Sequence, residues 1–509
     1  MIIKVVSSAI LGIESYAVDV EVDISRGLPQ FSTVGLPDTA VRESKDRIKA
    51  AIKNSGYEFP KYRVTVNLSP ADIKKEGTSF DLPIAVSILA AEECITHGNI
   101  GKYMIIGELS LDGRIKGVQG ILSASLLAKQ CGMKGIIVPR ENAPEAAMVE
   151  GIDVIPVEYL HHVVEFLNGI NTIEPLQIDA GLLFTNALGT TDDYADVSGQ
   201  DQAKRALEIA VAGGHNIIMI GPPGSGKTML ARRLLTILPD LTFDESIETT
   251  KIFSVAGLLT KEENLITRRP FRAPHHSISD AGLVGGGHNP KPGEISLAHN
   301  GVLFLDELPE FRRNVLEALR QPLEDGHVTI ARSSTTVTYP ARFMLVAAMN
   351  PCPCGHFTDP RTPCQCSAQQ IRQYRSKISG PLMDRIDIHI DVPGIRYRDL
   401  SGRKRGESSL AMKERITRAR DIQQRRLNDL PTRCNAHMAN REIKTFCALD
   451  EESHRLVEMA MDKLGLSARA YTRILKVART IADLDGEPHI RAHHVSEAIQ
   501  YRTLDRAVI

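Results

Sequence analysis

The stretch Gly221-Pro-Pro-Gly-Ser-Gly-Lys227-Thr228 decides the fold class, because it joins a glycine-rich turn to a lysine and a hydroxyl residue. In such a loop, backbone N–H groups surround a β-phosphate, the lysine reaches the β- and γ-oxygens, and the hydroxyl binds Mg²⁺ at a helix N-terminus. The residues of this predicted site are Gly221, Pro222, Pro223, Gly224, Ser225, Gly226, Lys227 and Thr228. The stretch therefore predicts binding of ATP or GTP with Mg²⁺.

The residues on either side supply the strand and the helix that this motif requires. Residues 216–220 form a short apolar run typical of a buried strand, and residues 229–238 carry leucines at helical spacing. The alternative is an ordinary glycine-rich turn, which would require neither a strand before it nor a helix after it.

A second motif, Gly301-Val-Leu-Phe-Leu-Asp306-Glu307, is an apolar strand that ends in two acids, the Walker B arrangement. Asp306 would hold Mg²⁺ through its water shell, and Glu307 would activate the water that attacks the γ-phosphate. A strand running into a solvated acidic turn is the alternative. The phosphate loop in the same chain favours the catalytic interpretation.

Length, charge and cysteine content limit the function classes. The 509 residues correspond to about three domains. The net charge of −1 gives no global electrostatic footprint for nucleic acid, so polyanion binding would depend on local patches. No segment approaches the length of a membrane span, so we expect a cytoplasmic protein without membrane partners. Eight cysteines in a chain of this length do not indicate a secreted disulfide framework.

Three regions are expected in an α/β multidomain chain. Residues 1–174 alternate short strands and helices and predict a compact α/β domain, followed by a connector at 175–195. Residues 196–393 predict a nucleotide-binding domain with a parallel sheet and ATP at its carboxyl edge. Residues 394–509 carry amphipathic runs and predict a helical lid. In the first domain we predict strands at 18–23, 63–68, 104–109 and 135–138 and a helix at 79–91.

Three further stretches carry a resemblance to a known family. They are Asp196-Val-Ser-Gly-Gln-Asp-Gln-Ala203, Arg272-Ala-Pro-His-His-Ser277 and Gly293-Glu-Ile-Ser-Leu-Ala-His-Asn-Gly-Val-Leu-Phe-Leu-Asp-Glu-Leu-Pro309. With them the chain resembles the magnesium-chelatase-like AAA+ ATPases, and among these the YifB/ComM family. The resemblance covers nearly the whole chain. It implies a Lon-protease-like N-domain of the ribosomal S5 domain 2-like fold, an AAA+ P-loop ATPase core with a parallel sheet, and a helical C-terminal lid domain.

The resemblance also gives roles to three residues. Asn350, at the polar end of apolar strand 343–349, resembles sensor 1, which helps to position the water near the γ-phosphate. Arg385 ends Ser379-Gly-Pro-Leu-Met-Asp-Arg385, which resembles the arginine-finger segment and implies a ring, expected to be a hexamer, in which it reaches the neighbouring ATP. Arg469 resembles sensor 2, which closes the lid on the phosphates. Surface ion pairs are the alternative for both arginines.

Two inserts resemble the pore-lining loops of chelatase-type ATPases. One covers about 252–292, and the other is a predicted hairpin with strands at 328–332 and 335–339. Lys291 and Arg332 are candidate phosphate contacts, although single loop cations are usually only solvated. For the pair His275 and His276 we favour structural hydrogen bonding over metal binding.

The N-domain resembles a protease that lacks its base. Lys75-Glu-Gly-Thr-Ser79 resembles the loop that carries the nucleophilic serine of Lon-type proteases, but the position of the catalytic lysine falls on Ala124. Alanine cannot take a proton from a serine hydroxyl, and Lys116 and Lys129 are off register. We therefore expect a protease fold without protease chemistry, serving assembly, substrate admission or partner binding.

Four of the cysteines are crowded into two C-x-C pairs. Cys352-Pro-Cys354 and Cys364-Gln-Cys366 leave enough slack for four thiolates to surround one Zn²⁺ tetrahedrally. The hypothesis is a small structural zinc knuckle, in which His356 could replace one thiolate. Four reduced cysteines without metal are the alternative.

The best local basic patch spans residues 401–433, with ten Lys or Arg against four Asp or Glu, including Arg403-Lys-Arg405 and Arg425-Arg426. Phosphate binding and a solvated helix face are equal alternatives for it. No aromatic residues are interleaved to support base stacking.

Three functions remain open. The resemblance implies an ATP-driven ring motor that acts on single-stranded or branched DNA without sequence preference, in branch migration or helicase activity during homologous recombination of transforming DNA, with recombination proteins as further partners. A magnesium-chelatase-like metal-insertion ATPase subunit is the alternative, opposed by the added Lon-like domain and by the lack of a recognisable porphyrin-handling region. A Lon-like ATP-dependent protease is opposed by Ala124.

Overall fold

The computed structural model describes residues 2–96, 98–178, 181, 192–260, 263–287, 290–331, 336–357, 359, 362–394, 406–428 and 432–502. The chain divides into two compact units. The first comprises Met1–Ala187 and Phe243–Thr267, and the second comprises Leu188–Thr242 and Arg268–Ile509. Within the described ranges, none of the helices has the length and apolar character needed to cross a membrane.

The first unit is built on a seven-stranded mixed sheet. Its strands lie in the spatial order Gln30–Val34, Arg63–Ser69, Glu14–Ser25, Ile2–Leu11, Tyr103–Ile105, Gly135–Pro139 and Asp153–Val157. The two longest strands form an antiparallel hairpin, and the last four strands in this order run parallel. Parallel neighbours need crossover connections. The α-helices whose bounds lie in the described part of the first unit are Thr39–Asn54, Asp81–Ala91, Ile121–Gln130, Ala143–Ala146, Leu160–Leu167 and Phe243–Ala256.

Period-two burial explains how this sheet separates two cores. Val18, Val20 and Val22 are fully buried and pack into one core with the helices Thr39–Asn54 and Asp81–Ala91. In the parallel half of the sheet, alternate residues face opposite sides and contribute to different cores. Helices therefore cover both faces there. The strands and the helix predicted for this region are present, except that the run 104–109 is split into Tyr103–Ile105 and a separate short strand, Glu108–Leu109.

One segment departs from the sequence-based boundaries. The sequence places residues Phe243–Thr267 in the ATPase core and, from residue 252, in a pore-lining insert, but they belong to the first unit. The Ser254 hydroxyl accepts the N–H of Gly120 at 3.0 Å and donates to Glu145. Leu265 joins a buried apolar cluster that includes Leu122. These buried polar and apolar groups find their partners in the first unit, which fixes the segment there.

The second unit is centred on a five-stranded parallel sheet. The strands lie in the order Phe271–Arg272, Val302–Leu305, Met344–Met349, Ile217–Ile220 and Ile388–Asp391. The three central strands are apolar and buried along their whole length, as expected for parallel strands covered on both faces. Ile220 is in register with Met349, and Leu305 with Ala347. The predicted parallel sheet is thus confirmed, and its carboxyl ends meet at one edge.

In the described part of the second unit, the remaining elements are α-helices, short 3-10 helices and two short hairpins. The α-helices are Asp201–Gly213, Lys227–Arg233, Asp280–Val284, Glu294–Leu297, Arg313–Ala318, Pro322–Asp325, Ala368–Arg375, Gly380–Met383, Ser409–Leu427, Asn440–Phe446, Glu451–Leu464, Ala468–Leu484 and Ala492–Gln500. Side chains of Ser408, Asp450 and Ser467 cap three of the C-terminal helices by accepting backbone N–H groups. The C-terminal region is therefore helical, as predicted from its amphipathic runs.

The predicted second hairpin is present as His327–Ala331 paired with Thr336–Pro340. A smaller hairpin pairs Gly285–Gly286 with Lys291–Pro292. His288, Arg332 and Arg403-Lys-Arg405, which belong to the predicted loops and the basic patch, lie outside the described residues.

Candidate active site

The phosphate loop follows strand Ile217–Ile220 and leads into helix Lys227–Arg233. Gly224 and Gly226 have φ values of 72° and 92°, a region that side-chain-bearing residues rarely adopt. A Cβ at Gly221 would lie 2.1 Å from the carbonyl oxygen of Val392. The backbone path of the loop therefore requires these glycines. This path leads directly into the N-terminus of the helix.

The side chain of Lys227 lies inside the phosphate loop. Its Nζ donates to the carbonyl oxygens of Gly221 and Pro222 at 2.7 and 2.9 Å and lies 3.4 Å from Oδ1 of Asn350. Burial lowers the pKa of Lys227, whereas the charges of Asp306, Asp391 and Glu307 act to raise it. The lysine is thus held at the sheet edge by weak neutral acceptors that phosphate oxygens could replace.

Two oxygen ligands for Mg²⁺ lie beside the loop. The Thr228 hydroxyl donates to Oδ2 of Asp306 at 2.6 Å, and Oδ1 of Asp306 accepts the N–H of Glu307 at 2.9 Å. A hydroxyl and a carboxylate at one point are ligands that Mg²⁺ takes together with phosphate oxygens and water. The residues present therefore fit the metal that the motif predicts.

Glu307 occupies an unusual backbone position. Its φ and ψ are 52° and 47°, in the left-handed region that non-glycine residues seldom adopt. Its side chain is 57% exposed, and Oε2 lies 3.5 Å from Nδ1 of His276. The carboxylate therefore stands free of the sheet at the edge where Lys227 and Asp306 also lie. This is the position expected of the group that activates water.

His276 is a site residue whose role sequence reasoning missed. Its ring is tilted against that of His275, with centroids 4.0 Å apart, and meets Phe311 edge-on at 6.3 Å. The signal was present, because His276 belongs to the quoted stretch Arg272–Ser277, but a histidine beside proline gave no indication that it contacts Glu307. The structure brings Lys227, Thr228, Asp306, Glu307 and Asn350 together at the carboxyl edge of the sheet.

Comparisons with known proteins identify the family. The family model "Magnesium chelatase, subunit ChlI" matches residues 193–400, "Subunit ChlI of Mg-chelatase" matches 20–142, and "Magnesium chelatase, subunit ChlI C-terminal" matches 406–502. The chain is 46% identical over 506 residues to YifB of Escherichia coli (strain K12), covering 98% of this chain and 97% of that protein. It is 46% identical over 509 residues to competence protein ComM of Haemophilus influenzae, covering 99% and 97%. The chain belongs to the YifB/ComM family.

Membership confirms the resemblance seen in the sequence. The YifB/ComM family is of the magnesium-chelatase-like AAA+ class, which implies ATP and Mg²⁺ as the nucleotide and metal of the phosphate-loop site. A local similarity also exists to Lon protease 2 of Bacillus subtilis, 32% identical over 146 residues and covering 26% of each protein.

The two predicted arginines of this family member do not lie at its own phosphate loop. Arg385 is 8% exposed, and its guanidinium pairs with Glu324 and donates to the carbonyl oxygen of Pro381 at 2.8 Å. Its backbone carbonyl accepts from the side chain of Asn216, which precedes strand Ile217–Ile220. Arg385 therefore lies at the amino edge of the sheet, opposite the nucleotide site.

Arg469 lies with Arg385 and not with Lys227. Its Nη2 is 3.9 Å from Oε1 of Glu324, at the start of helix Ala468–Leu484. The hydrogen bond from Arg385 lowers the pKa of Glu324, so this carboxylate is charged at neutral pH. One acid thus binds Arg385 and lies within ion-pair distance of Arg469, an arrangement that the sequence did not indicate.

The four cysteines meet at one point. Their Sγ atoms all lie within 4.8 Å of one another, with Cys352 at 3.4 Å from Cys354 and 3.6 Å from Cys364. Tetrahedral Zn–S bonds of about 2.3 Å place sulfur atoms about 3.8 Å apart. Backbone N–H groups of Cys354 and Phe357 donate to Sγ of Cys366 and Cys352 at 3.4 and 3.3 Å. The cluster is complete without His356, whose Nδ1 lies 3.2 Å from Asp359 instead.

A second group with metal-ligand chemistry contains Asp485, His493 and His494. Nδ1 of His494 accepts the N–H of Arg491 at 2.9 Å, so in the neutral ring Nε2 carries the hydrogen. That nitrogen has no lone pair to offer a cation. We therefore assign this group to helix capping and not to metal binding.

Several cations in the described part of the basic patch are engaged in ion pairs. Arg415 pairs with Glu208 at 2.6 Å and with Glu407. Arg426 pairs with the buried Asp483 at 2.6 Å. These contacts fix helix Ser409–Leu427 within the second unit and favour a structural role for the described part of the patch. Only cations without such partners remain suited to phosphate.

Ala124, the position that the sequence resemblance gives to a catalytic lysine, carries no base. Ala124 is 2% exposed and lies in the apolar core beneath the parallel half of the sheet. Lys116 and Lys129 are exposed. Ser79 is instead fixed through its carbonyl oxygen, which accepts the N–H of Gly107 at 3.1 Å.

Proposed function

We propose that the chain is an ATP-hydrolysing motor that assembles into a ring, expected to be a hexamer, and acts on single-stranded or branched DNA. Its proposed work is branch migration or helicase activity in homologous recombination of transforming DNA. The relative ComM of Haemophilus influenzae is named a competence protein, which supports the link to transformation. The observation that carries the ATPase part is the 2.6 Å contact between Thr228 and Asp306 beside Lys227.

The residues of the site divide the work of hydrolysis. Lys227 would exchange its carbonyl contacts for β- and γ-phosphate oxygens, and Thr228 and Asp306 would hold Mg²⁺. Mg²⁺ supplies charge neutralisation of the phosphates. Glu307 takes the proton of the attacking water, and Asn350 donates its amide N–H to that water or to the γ-phosphate.

We propose that Arg385 and Arg469 both act on the ATP of a neighbouring subunit. Their shared position beside Glu324, at the edge opposite their own phosphate loop, supports this role. A finger that acts in trans requires a closed ring, because each site is completed only by the next subunit. For Arg469 this differs from the expectation that it closes the lid on the phosphates of its own chain.

The test is ATP hydrolysis with and without single-stranded and branched DNA at two salt concentrations. Glu307→Gln should bind ATP and assemble but barely hydrolyse it, since an amide cannot accept the proton. Glu310→Gln is the matched control, because Glu310 is a nearby acid that pairs at the surface with Lys377. Salt-sensitive stimulation by DNA supports the motor. Good basal turnover without stimulation removes DNA from the proposal and leaves the ATPase.

A metal-insertion ATPase subunit remains the second candidate, because three chelatase models match the chain. Porphyrin metallation with partner subunits tests it. A Lon-like protease is the third, and degradation of casein tests it. We propose a Lon-like fold for the N-domain, without proteolysis, since the position that the resemblance gives to the base is Ala124, which is also buried.

We also propose that the cysteine cluster holds one structural Zn²⁺. The convergence of four sulfur atoms and the two N–H contacts to them support this cofactor. Metal analysis of the purified protein should find one zinc per chain, and Cys352→Ser/Cys364→Ser should lose it. Cys94→Ser/Cys131→Ser is the control, because those cysteines lie in the first unit. Wild-type protein without zinc would contradict the proposal.

A further inference from the structure

The first unit contains a basic and aromatic groove that none of the preceding assignments uses. It has a volume of about 600 Å³ and lies between the start of strand Gln30–Val34, helix Thr39–Asn54 and the loop of residues 56–62. Four lysines line it, and Glu58 is the only acid among its lining residues in the part of the chain that the structure describes. The groove is therefore a local positive site in a chain whose net charge is −1.

Helical spacing places three of these lysines in one row. Lys45, Lys49 and Lys53 are four residues apart on helix Thr39–Asn54, so they project from one face. Lys61 comes from the loop. All four are exposed, and within the described ranges none has a carboxylate partner. They contrast with Arg415 and Arg426 of the helix in the second unit, whose charges are already neutralised.

Aromatic rings complete the lining. Phe31 and Phe59 lie with centroids 6.5 Å apart and close the edge of the first core, leaving part of each ring at the groove. Tyr62 is 51% exposed and belongs to none of the apolar cores of the described residues. Core packing explains the two phenylalanines in part, but it does not explain Tyr62. Sites that bind single strands combine lysines, which contact the phosphate backbone, with exposed rings, on which bases stack.

We propose that this groove binds single-stranded nucleic acid without sequence preference, with the lysines on the phosphates and Tyr62 stacked on a base. The site lies on an N-terminal unit for which the sequence indicates only assembly, substrate admission or partner binding. It does not depend on ATP hydrolysis, so it stands or falls separately from the proposed motor.

The test is fluorescence anisotropy of a labelled mixed-sequence single-stranded oligonucleotide with the full chain, without nucleotide. Lys45→Ala/Lys49→Ala/Lys53→Ala should bind at least about tenfold more weakly and lower the salt slope by about 2, at roughly 0.7 per lost phosphate contact. The control Lys102→Ala/Lys116→Ala/Lys129→Ala removes the same charge from exposed positions outside the groove and should leave binding unchanged. Both triple variants should retain basal ATP turnover.

A second pair of measurements tests stacking apart from charge. Tyr62→Ala should weaken binding about tenfold, and Tyr62→Phe should restore it, because the ring is kept. An abasic oligonucleotide of the same length should bind weakly to wild type. Its affinity for Tyr62→Ala should equal its affinity for wild type. Equal binding of abasic and normal strands, or displacement of the oligonucleotide by poly-glutamate as readily as by unlabelled strand, would overturn the proposal in favour of a general polyanion or acidic-peptide surface.

The same variants separate this inference from the proposed motor. Loss of binding in the lysine triple without any stimulation of wild-type ATP turnover by DNA supports the groove and opposes the motor. Unchanged binding in the lysine triple, with DNA-stimulated turnover intact, overturns the groove and leaves the motor.

Discussion

Gly355 lies so close to Pro223 that a Cβ at position 355 would come within 2.5 Å of Pro223 Cδ and 2.7 Å of its Cγ. Pro223 belongs to the phosphate loop, and Gly355 follows Cys354 of the cysteine cluster. The segment that carries the cysteine cluster therefore packs against the phosphate loop through Gly355. Asn350, which precedes Gly355 in the same chain segment, also contacts Lys227 of the loop.

Gly355→Ala should therefore lower ATP affinity and turnover, because the new methyl group would push on Pro223. Gly355 also has a φ of 82°, so part of any loss of stability is backbone strain of about 1–2 kcal/mol. Gly465→Ala is the matched control, since Gly465 has a φ of 62° and a Cβ added there would meet no described atom within 4 Å. Nucleotide affinity, turnover and thermal unfolding should be measured for both. An equal effect of the two variants on turnover would show that strain, and not the contact with Pro223, is responsible.

The chemistry of the nucleotide edge was predictable because its signals are local. Lys227, Thr228, Asp306 and Asn350 each end or follow a short apolar strand, and parallel strands bring their carboxyl ends together. The contact of Gly355 with Pro223 was not predictable, because a positive φ and a close approach between distant segments leave no spacing pattern. The sequence indicated the cysteine cluster itself but not its contact with the phosphate loop.

Long-range pairing explains the other differences. Ser254 and Glu145 are 109 residues apart, and neither carries a motif that would assign Phe243–Thr267 to the first unit. The groove of the first unit collects residues from three segments, and only the lysine spacing on one helix is visible in the sequence. Glu324 likewise has no local signature, although it joins Arg385 and Arg469.

Glu324→Gln should raise basal ATP turnover. In the proposed ring, Arg385 must leave Glu324 before it reaches the neighbouring phosphates, and a neutral amide holds it less strongly than a carboxylate. Glu324 is 55% exposed, so the gain should be modest, up to about fivefold. Asp240→Asn, which removes the exposed acid partner of Lys413 in the same unit, is the control. Steady-state turnover at saturating ATP measures the effect, and unchanged or lower turnover would argue that Glu324 does not restrain Arg385.

Arg473→Met should destabilise the second unit by roughly 3 kcal/mol, because it leaves Asp387 buried without its cation. Burial alone would raise the pKa of Asp387, but Arg473 and His215 outweigh it and lower the pKa below its ordinary value. Arg455→Met is the control, since Arg455 is exposed and donates to the carbonyl oxygen of Glu451 on its own helix. Thermal and urea unfolding at pH 7 measure the difference.

The sign of the pH dependence provides a second check on Arg473→Met. In wild type, the depressed pKa of Asp387 gives stability that is present above the unfolded value of 3.8 and is lost as the pH falls through the lower folded value. Without Arg473, the largest cause that lowers the pKa of Asp387 is lost while burial still acts to raise it, so we expect the folded pKa to rise and the variant to gain stability on protonation. The difference between wild type and variant should therefore shrink from pH 7 towards pH 4. If the difference in stability between wild type and variant stays constant with pH, the loss of stability comes from packing.

Mixing two inactive variants tests whether Arg385 acts in trans. Arg385→Ala should keep nucleotide affinity, because Arg385 lies at the sheet edge opposite its own phosphate loop, but it should lose hydrolysis. Glu307→Gln keeps Arg385 and loses the base. In a randomly mixed ring of equal parts, about a quarter of the interfaces pair an intact Glu307 with a neighbour's intact Arg385, so turnover should return to about that fraction of wild type. Mixed rings verified by co-purification of differently tagged subunits that remain inactive would place the action of Arg385 within its own chain.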